Sequence, residues 1–200
     1  MSTLPSDQVG IFPVPRSGRW TAADLDHLPD NGLRYEVLNG QLIVNAAPKP
    51  RHQWVIKWLE RALDDAAPDD HYVLAGIGVL IGDDEPIPDL TVARGAVPMD
   101  DRGVPVADVA LVVEVVASST TLQDRMVKPA FYAAAGIPNY WRIEINPFKG
   151  RFRAERLPVL FAYALDDSGE YQLAHRVPAD QLVTLRSPFA FTVDTASWLR

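Results

Sequence analysis

Apolar side chains recur at near-helical spacing in residues 52–66. The apolar residues with this spacing are Trp54, Ile56, Trp58, Leu59 and Leu63. This spacing, with charged residues on the remaining surface, predicts one amphipathic helix. Residues 21–29 predict a short helix, because Thr21 is suited to the N-cap and Asp24 follows three residues later.

Alternating and β-branched runs predict the strands. Residues 34–45, RYEVLNGQLIVN, alternate on both sides of Asn39-Gly40, which is the strongest short-range signal for a β-hairpin. Residues 71–82 are rich in β-branched side chains and predict one strand or a bent pair. Further strands are predicted at 88–93, 110–116 and 139–145, and two or three outer strands with a short closing segment are predicted after residue 157.

Residues 120–136, TTLQDRMVKPAFYAAAG, have the composition of a second helix. Thr121 and Asp124 form a candidate capping box, and Gly136 is a candidate stop. Pro129 conflicts with a continuous helix, since proline in a helix interior costs about 3 kcal/mol. We therefore predict either a kink or a new helix start with Pro129 near its first position.

The order of these elements predicts an α/β fold in which one sheet packs against helices. Residues 1–18 contain three prolines without helical or strand periodicity and predict a mobile N-terminal arm. The remaining residues, 19–200, are predicted to form a single domain, because 48% hydrophobic and 22% charged residues are ordinary values for a globular chain.

Composition excludes several classes of function. The absence of cysteine rules out disulfides, thiolate zinc sites and cysteine nucleophiles, so a metal must bind to oxygen or imidazole. A formal net charge of −7 argues against broad nonspecific coating of nucleic acid, although a local basic patch stays open. No apolar run approaches 18 residues and no signal peptide is evident, so we expect a cytoplasmic protein without membrane association.

One carboxylate interrupts the most apolar strand of the chain. Glu114 lies within ALVVEVV, where an unpaired charge is costly to bury. The acid must be neutralised, paired, exposed at a sheet end or bound to a cation, and the last option explains the most residues. Asp89, after Pro88, begins the preceding predicted strand, so the two carboxylates can meet on neighbouring strands.

Two or three carboxylates with water suit Mg²⁺ or Mn²⁺, which orient a phosphate and activate a water molecule. Such a site is helped by an ammonium that stabilises the charge developing on the phosphate. Lys128 is the candidate, and it lies one helical turn after Asp124, so that the two side chains share a face.

These motifs occur together in an order that resembles one family. PDL is followed by VVEVV, by D-R-x-x-K and by YAAAGIPNYW, with RYEVLNGQL and PRHQ upstream. From about Trp20 to the C-terminus the chain resembles the Uma2 family of the PD-(D/E)XK nuclease superfamily. The resemblance implies a restriction-endonuclease-like fold: a central mixed β-sheet flanked by helices, with an N-terminal β-hairpin and extra C-terminal strands.

The resemblance also implies roles for individual residues. The Asp of the PD pair and the Glu of the next strand bind the metal in that superfamily, and these positions are Asp89 and Glu114 here. The usual Lys two residues after the Glu is replaced by Val116. Uma2-like sequences carry a Lys on the next helix instead, which Lys128 matches, and Glu36 matches the family's upstream acid, which would complete or orient the metal shell.

Two further departures concern residues near this site. The family's usual Ser-Pro-Ser-Thr is replaced by Ala117-Ser118-Ser119-Thr120, and its frequent Glu before Tyr-Trp is replaced by Asn139. They bear on the geometry of the loop and leave the metal ligands unchanged.

Other polar and aromatic residues receive less specific interpretations. His52 can touch a metal or a phosphate, but a polar residue that opens an amphipathic helix is usually solvated. Gln123 and Asp124 are predicted as cap and surface residues, with an alternative role in orienting the metal ligands from outside the metal's own shell. Three aromatic residues are predicted to belong to the core: Tyr132, Tyr140 and Trp141.

Three functions are consistent with these residues. The first is a divalent-metal-dependent endonuclease that hydrolyses DNA phosphodiester bonds, with a homodimer as one way to cut both strands. The second is an inactive nuclease fold that binds or scaffolds a partner. The third is a metal-dependent hydrolase of small phosphorylated compounds, which suits the acidic composition better than DNA does.

Overall fold

The computed structural model describes residues 15–45, 47–116 and 123–199. Most of the predicted arm over residues 1–18 therefore lies outside the described residues. The strands are β1 (Arg34–Leu38), β2 (Gln41–Asn45), β3 (His71–Ala75), β4 (Val79–Leu80), β5 (Leu90–Arg94), β6 (Val104–Pro105), β7 (Val109–Val116), β8 (Asn139–Glu144), β9 (Val159–Leu165), β10 (Tyr171–Pro178), β11 (Val183–Leu185) and β12 (Phe191–Val193). The helices are α1 (Pro50–Ala66), α2 (Lys128–Ala134) and short 3₁₀ helices at Ala22–His27, Val106–Asp108 and Thr195–Leu199.

In the described part of the chain, six strands form a central sheet in the order β10-β9-β8-β7-β5-β3. The pair β7 and β8 is parallel, and the other neighbouring pairs are antiparallel. The parallel pair requires a crossover connection, and α2 lies in that connection. The predicted fold, a central mixed sheet flanked by helices, is confirmed.

The N-terminal hairpin forms where the sequence predicts it. Strands β1 and β2 pair antiparallel, with Leu38 opposite Gln41. Asn39 and Gly40 both have positive φ, 54° and 72°, as a two-residue turn between twisted strands requires. The short helix before the hairpin is also present, as a 3₁₀ helix in which Asp24 accepts hydrogen bonds from the amide and hydroxyl of Thr21.

Helix α1 begins two residues before its predicted start, because Pro50 suits the first turn of a helix. Its buried side chains are His52, Val55, Ile56, Leu59 and Leu63. Trp54 was grouped with the apolar face of this helix, but its side chain is 42% exposed. Within the described ranges, no helix has the length and apolar character needed to cross a membrane.

The pairing decides one strand prediction and corrects another. For residues 71–82 the structure shows two strands, the second of the two predicted alternatives, and these strands lie in different sheets, since the chain turns at Gly76, where φ is 61°, and β4 pairs with β6 in a separate two-stranded sheet. After residue 157 there are four strands rather than two or three, and β9 lies inside the sheet between β8 and β10. A short alternating run in the sequence predicts a strand but does not identify the strand that pairs with it. The position of such a strand in the sheet therefore depends on the tertiary fold.

Two hydrophobic clusters cover the two faces of the sheet. All eight residues of β7 are buried, as expected of a central strand. Successive side chains point to opposite faces, so Val113 packs with α1 in one cluster and Val112 packs with Tyr132 of α2 in the other. Glu114 therefore lies on the α2 face. Tyr132, Tyr140 and Trp141 are all at most 1% exposed, which confirms their prediction as core residues.

Pro129 marks a new helix start, which is one of the two predicted alternatives. A π-helical turn over Gln123–Val127 precedes α2, and Pro129 lies in the first turn of α2. The helix ends before Gly136, whose φ of 77° fits a helix stop. The predicted capping box cannot be compared, because Thr121 lies outside the described residues.

Replacement of Trp198 tests whether the C-terminal 3₁₀ helix closes the core. Trp198 is 1% exposed and belongs to the cluster that packs on α1. We expect Trp198→Ala to lower the free energy of unfolding by about 3–5 kcal/mol in urea denaturation, because it leaves a large cavity. Leu182→Ala, at a position that is 71% exposed, serves as control and should change it by less than ~0.5 kcal/mol. A loss below about 1 kcal/mol for Trp198→Ala would contradict this packing.

Candidate active site

A cavity of about 380 Å³ opens between the N-terminal hairpin, the start of α1 and the sheet. Its lining includes the predicted site residues Glu36, Asp89, Glu114 and Lys128, together with His52 and Asp124. The fold therefore brings together four residues that are far apart in the sequence.

Asp89 is fixed at the edge of the cavity by two contacts. It immediately precedes β5, and because Leu90 lies opposite Val113 on β7, its side chain lies beside the end of that strand. The Oδ2 atom accepts a hydrogen bond from the Val115 amide at 2.7 Å and lies 3.1 Å from His52 Nε2. In the described residues both contacts use Oδ2, which leaves Oδ1 for another ligand.

Glu114 is 3% exposed and is neutralised mainly from α2. Its Oε1 accepts hydrogen bonds from Lys128 Nζ at 3.0 Å and from the Tyr132 hydroxyl at 2.8 Å. Burial raises the pKa of Glu114 well above its usual value; Lys128 opposes this, and nearby carboxylates add to it. The hydrogen bond from Tyr132 was not predicted, because a tyrosine on an apolar helix face gives no sign of its hydroxyl partner.

Lys128 connects two buried acids. Its Nζ lies 3.0 Å from Glu114 Oε1 and 3.3 Å from Glu36 Oε2, and the residue is 5% exposed. Burial alone would lower the pKa of Lys128, but the surrounding carboxylates outweigh burial and hold this pKa above its usual value. The ammonium is thus a fixed positive charge inside the cavity.

Glu36, on the hairpin, is 1% exposed and both of its oxygens are engaged. Oε1 accepts a hydrogen bond from Asn45 Nδ2 at 2.8 Å, and Oε2 accepts one from the Ile87 amide at 2.8 Å. Oε2 is also the atom that faces Lys128. Of the two roles expected for Glu36, these contacts favour orientation of the site over direct coordination of a metal.

His52 is 6% exposed, which contradicts the expectation of a solvated residue. It occupies the same face of α1 as Val55, Ile56 and Leu59, so its spacing along the helix was the signal for burial. Burial would lower the pKa of His52, but the Asp89 carboxylate outweighs burial and raises it. Its Nδ1 is buried and has no hydrogen-bond partner among the described residues.

Asp124 is 3% exposed and lines the cavity, so its prediction as a surface residue is wrong, whereas its predicted capping partner Thr121 lies outside the described residues. The π-helical turn that contains it lies directly before α2, which keeps Asp124 near Lys128. Its negative charge contributes to the raised pKa values of Glu114, Lys128 and His52. The side chain of Gln123, predicted alongside it, lies outside the described part of the structure.

The interior of the cavity has an excess of negative charge. Four carboxylates, those of Glu36, Asp89, Glu114 and Asp124, line it with one ammonium and one imidazole. Among the described residues, no three acidic or histidine side chains group closely enough to form a ready-made metal cage. The oxygen donors of Asp89 and Glu114 nevertheless fit Mg²⁺ or Mn²⁺, because Mg²⁺ commonly binds through one or two carboxylates and keeps several waters.

The mouth of the cavity is basic. Arg34, Lys49 and Arg51 contribute to its lining, and Lys49 and Arg51 are exposed. Basic side chains therefore lie at the mouth of the cavity, and carboxylates line its interior. This arrangement suits a phosphate-bearing ligand, because the phosphate could approach a metal ion held by the carboxylates.

The comparisons with known proteins agree with this architecture. The model of the Uma2 family, described as "Putative restriction endonuclease", matches residues 22–196. A crystal structure described as "a putative nuclease belonging to DUF820", from Anabaena variabilis, has a TM-score of 0.64 and 16% identity, and the match covers 90% of this chain and 99% of that chain. At this identity the likeness shows a common fold. No curated protein matches the chain.

Replacement of Lys128 tests the buried charge balance. Lys128→Met leaves Glu36 and Glu114 without their shared cation, and we expect it to lower the free energy of unfolding at pH 7 by about 3–5 kcal/mol. Because the pKa of Glu114 is raised in the folded state, the penalty for its ionisation is absent below the unfolded value of 4.5 and grows as the pH rises. The loss measured by urea denaturation should therefore be larger at pH 8 than at pH 5.

The matched control is Lys149→Met, at an exposed lysine in the loop before β9. It should leave the free energy of unfolding nearly unchanged at both pH values. Equal losses for Lys128→Met at pH 5 and pH 8 would contradict a charge-dependent role for Lys128.

Proposed function

The chain belongs to the Uma2 family, and on that premise we propose that it is a divalent-metal-dependent endonuclease that hydrolyses phosphodiester bonds of DNA. The observation that carries the proposal is the meeting of Asp89 and Glu114, from adjacent strands, in one cavity with the Lys128 ammonium. Family and fold support a restriction-endonuclease-like nuclease, while the metal and the DNA substrate are inferences from the chemistry of the site.

Asp89 and Glu114 would hold Mg²⁺ or Mn²⁺ through the carboxylate oxygens Oδ1 and Oε2, which make none of the contacts given above to the described residues. When bound, such an ion lowers the pKa of a water molecule and neutralises charge on a phosphate oxygen. The Val115 amide and His52 keep the Asp89 carboxylate in place, and Tyr132 and Lys128 do the same for Glu114. Rigid donors of this kind reduce the reorganisation needed during reaction.

Lys128 would stabilise the negative charge that develops on the phosphate oxygens. Its position is fixed by contacts with Glu36 and Glu114, and its raised pKa keeps it protonated near neutral pH. A positioned ammonium that is itself buried, as Lys128 is, contributes more to a charged transition state than the same group in solvent. Glu36 would act by orienting this ammonium through Oε2.

DNA would approach through the basic mouth of the cavity. Arg34, Lys49 and Arg51 provide local positive charge on a chain whose formal net charge is −7. Contacts of this type position a phosphate backbone without reading its sequence.

Calorimetric titration of Mn²⁺ and Mg²⁺ into wild type, Glu114→Gln and Asp89→Asn, with DNA cleavage measured on the same samples, tests the proposal. These substitutions keep the side-chain shape and remove the negative charge. We expect metal affinity to fall at least tenfold and cleavage to fall by two orders of magnitude or more, since both depend on the carboxylate pair.

Glu170→Gln is the matched control, because Glu170 is an exposed acid at the turn before β10. It should bind metal and cleave DNA as wild type does, and thermal unfolding should show that all variants are folded. If Glu114→Gln binds metal as tightly as wild type, Glu114 is a structural acid and the proposal fails. Metal binding without cleavage in wild type would instead support a binding or small-substrate function.

His52 is expected to position Asp89, since its Nε2 lies 3.1 Å from Oδ2. Removing a residue that orients a metal ligand typically weakens metal affinity by roughly 10- to 100-fold. His52→Gln should therefore weaken Mn²⁺ binding by this factor in the same titration, while substrate KM changes little at saturating Mn²⁺. A lower affinity for DNA with unchanged Mn²⁺ affinity would show that His52 contacts the substrate instead.

A further inference from the structure

The outward face of α1 carries an unusual set of side chains, which we call the α1 stripe. It consists of Arg51, Trp54, Lys57, Trp58 and Arg61. At 100° per residue these positions fall within about 120° of the helix circumference. The stripe lies away from the buried face of the helix, and Trp58 alone is partly covered by the core.

Two aromatic rings and two cations form the centre of the stripe. The ring centroids of Trp54 and Trp58 are 5.9 Å apart, with an angle of 72° between the ring planes. Lys57 Nζ lies 5.2 Å from the Trp54 centroid and 5.6 Å from the Trp58 centroid, and Arg61 Cζ lies 5.9 Å from the latter. Trp54 is 42% exposed, so an aromatic surface next to positive charge faces solvent.

Positive charge is concentrated in and beside the α1 stripe, although the chain as a whole has a negative net charge. Residues 49–61 contain four cations and one acid, Glu60, whereas the whole chain has a formal charge of −7. The positive charge of the stripe ends at Arg61, because the Asp65 carboxylate lies 3.9 Å from Arg61 Nε at the C-terminal end of the stripe. The basic and aromatic character therefore covers the first three turns of α1.

The stripe is continuous with the candidate active site. Lys49, Arg51 and His52 line the cavity, and α1 leads from this rim to Trp54, Lys57 and Arg61. We propose that the α1 stripe binds a single-stranded segment of nucleic acid and guides it to the cavity. The inference rests on the proposed function in one respect, namely that the cavity accepts a nucleic-acid phosphate.

A single strand fits the stripe better than a duplex. Unpaired bases can stack on exposed aromatic rings, and nearby cations can contact the flanking phosphates. In a duplex the base faces are occupied by neighbouring bases, so Trp54 would have no base to stack on. From Arg51 to Arg61 the helix rises about 15 Å, enough for roughly three or four nucleotides.

A second copy of this chain is the competing occupant. A symmetric dimer through this face would bring the cations of one copy close to the cations of the other, because both copies would use the same patch. Like charges brought together in an interface are unfavourable, and the stripe has no acid within its central part. Charge and continuity with the cavity thus favour nucleic acid.

Fluorescence anisotropy with a labelled oligothymidylate of roughly 12 nucleotides tests the inference, with EDTA present so that metal-dependent cleavage cannot occur. We expect wild type to bind the single strand more tightly than a duplex of the same length. Trp54→Ala should raise the Kd at least fivefold, because it removes a stacking surface. Lys57→Gln should raise the Kd and lower the salt dependence by about one phosphate contact.

Phe152→Ala is the matched control. Phe152 is 63% exposed, with Arg176 Cζ 4.2 Å from its ring centroid, and Arg176 belongs to β10 at the opposite edge of the sheet from β3. It resembles Trp54 in chemistry but lies outside the stripe, so the control should bind the oligonucleotide as wild type does. Circular dichroism melting should show that both variants are folded.

The outcomes separate this inference from the proposed function. Unchanged binding by Trp54→Ala, or no binding by wild type at low ionic strength, would overturn the inference whatever the cleavage assay shows. Weaker binding by Trp54→Ala, in a protein that cleaves no DNA with Mn²⁺, would support the stripe and reject the nuclease. A wild-type dimer that Trp54→Ala dissociates in sedimentation, with unchanged Kd, would assign the stripe to an interface between copies.

Discussion

The buried ion pair between Glu114 and Lys128 is the interaction on which the site depends. Each charge alone would be expensive to bury, and at 3% and 5% exposure neither is solvated by bulk water. Their separation of 3.0 Å and the second contact of Lys128 with Glu36 make the arrangement tolerable. A carboxylate can therefore occupy the middle of an apolar strand because the next helix supplies the opposite charge.

Three separate elements are organised around this pair. The hairpin contributes Glu36, the start of β5 contributes Asp89, and α2 contributes Lys128. Pro129 suits the first turn of α2, and in that turn Lys128 donates a hydrogen bond to Glu114 of β7. Backbone amides hold two of these acids in place, because the Ile87 amide donates to Glu36 and the Val115 amide donates to Asp89.

Charge is arranged in layers from the interior to the surface. Carboxylates dominate the inside of the cavity, exposed Lys49 and Arg51 lie at its mouth, and the α1 stripe extends the positive charge along the helix. This order allows an acidic chain to accept the phosphate-bearing ligand proposed above, because such a ligand would meet positive charge before it meets the acids. A divalent cation has the opposite preference and would be drawn to the interior.

Local patterns were sufficient for part of this protein. The hairpin at Asn39-Gly40, the apolar strand around Glu114 and the helix start at Pro129 follow from short-range rules on turns, burial and proline, and the ordered motifs indicated the family. The burial of His52 and Asp124, the hydroxyl of Tyr132 on Glu114 and the place of β9 inside the sheet depend on contacts between residues distant in sequence. Pairing and packing partners decide these features, and a single sequence does not contain that information in any local period. The sequence by itself therefore indicated the family and the candidate site residues, and the tertiary structure decided how the charges of these residues are paired.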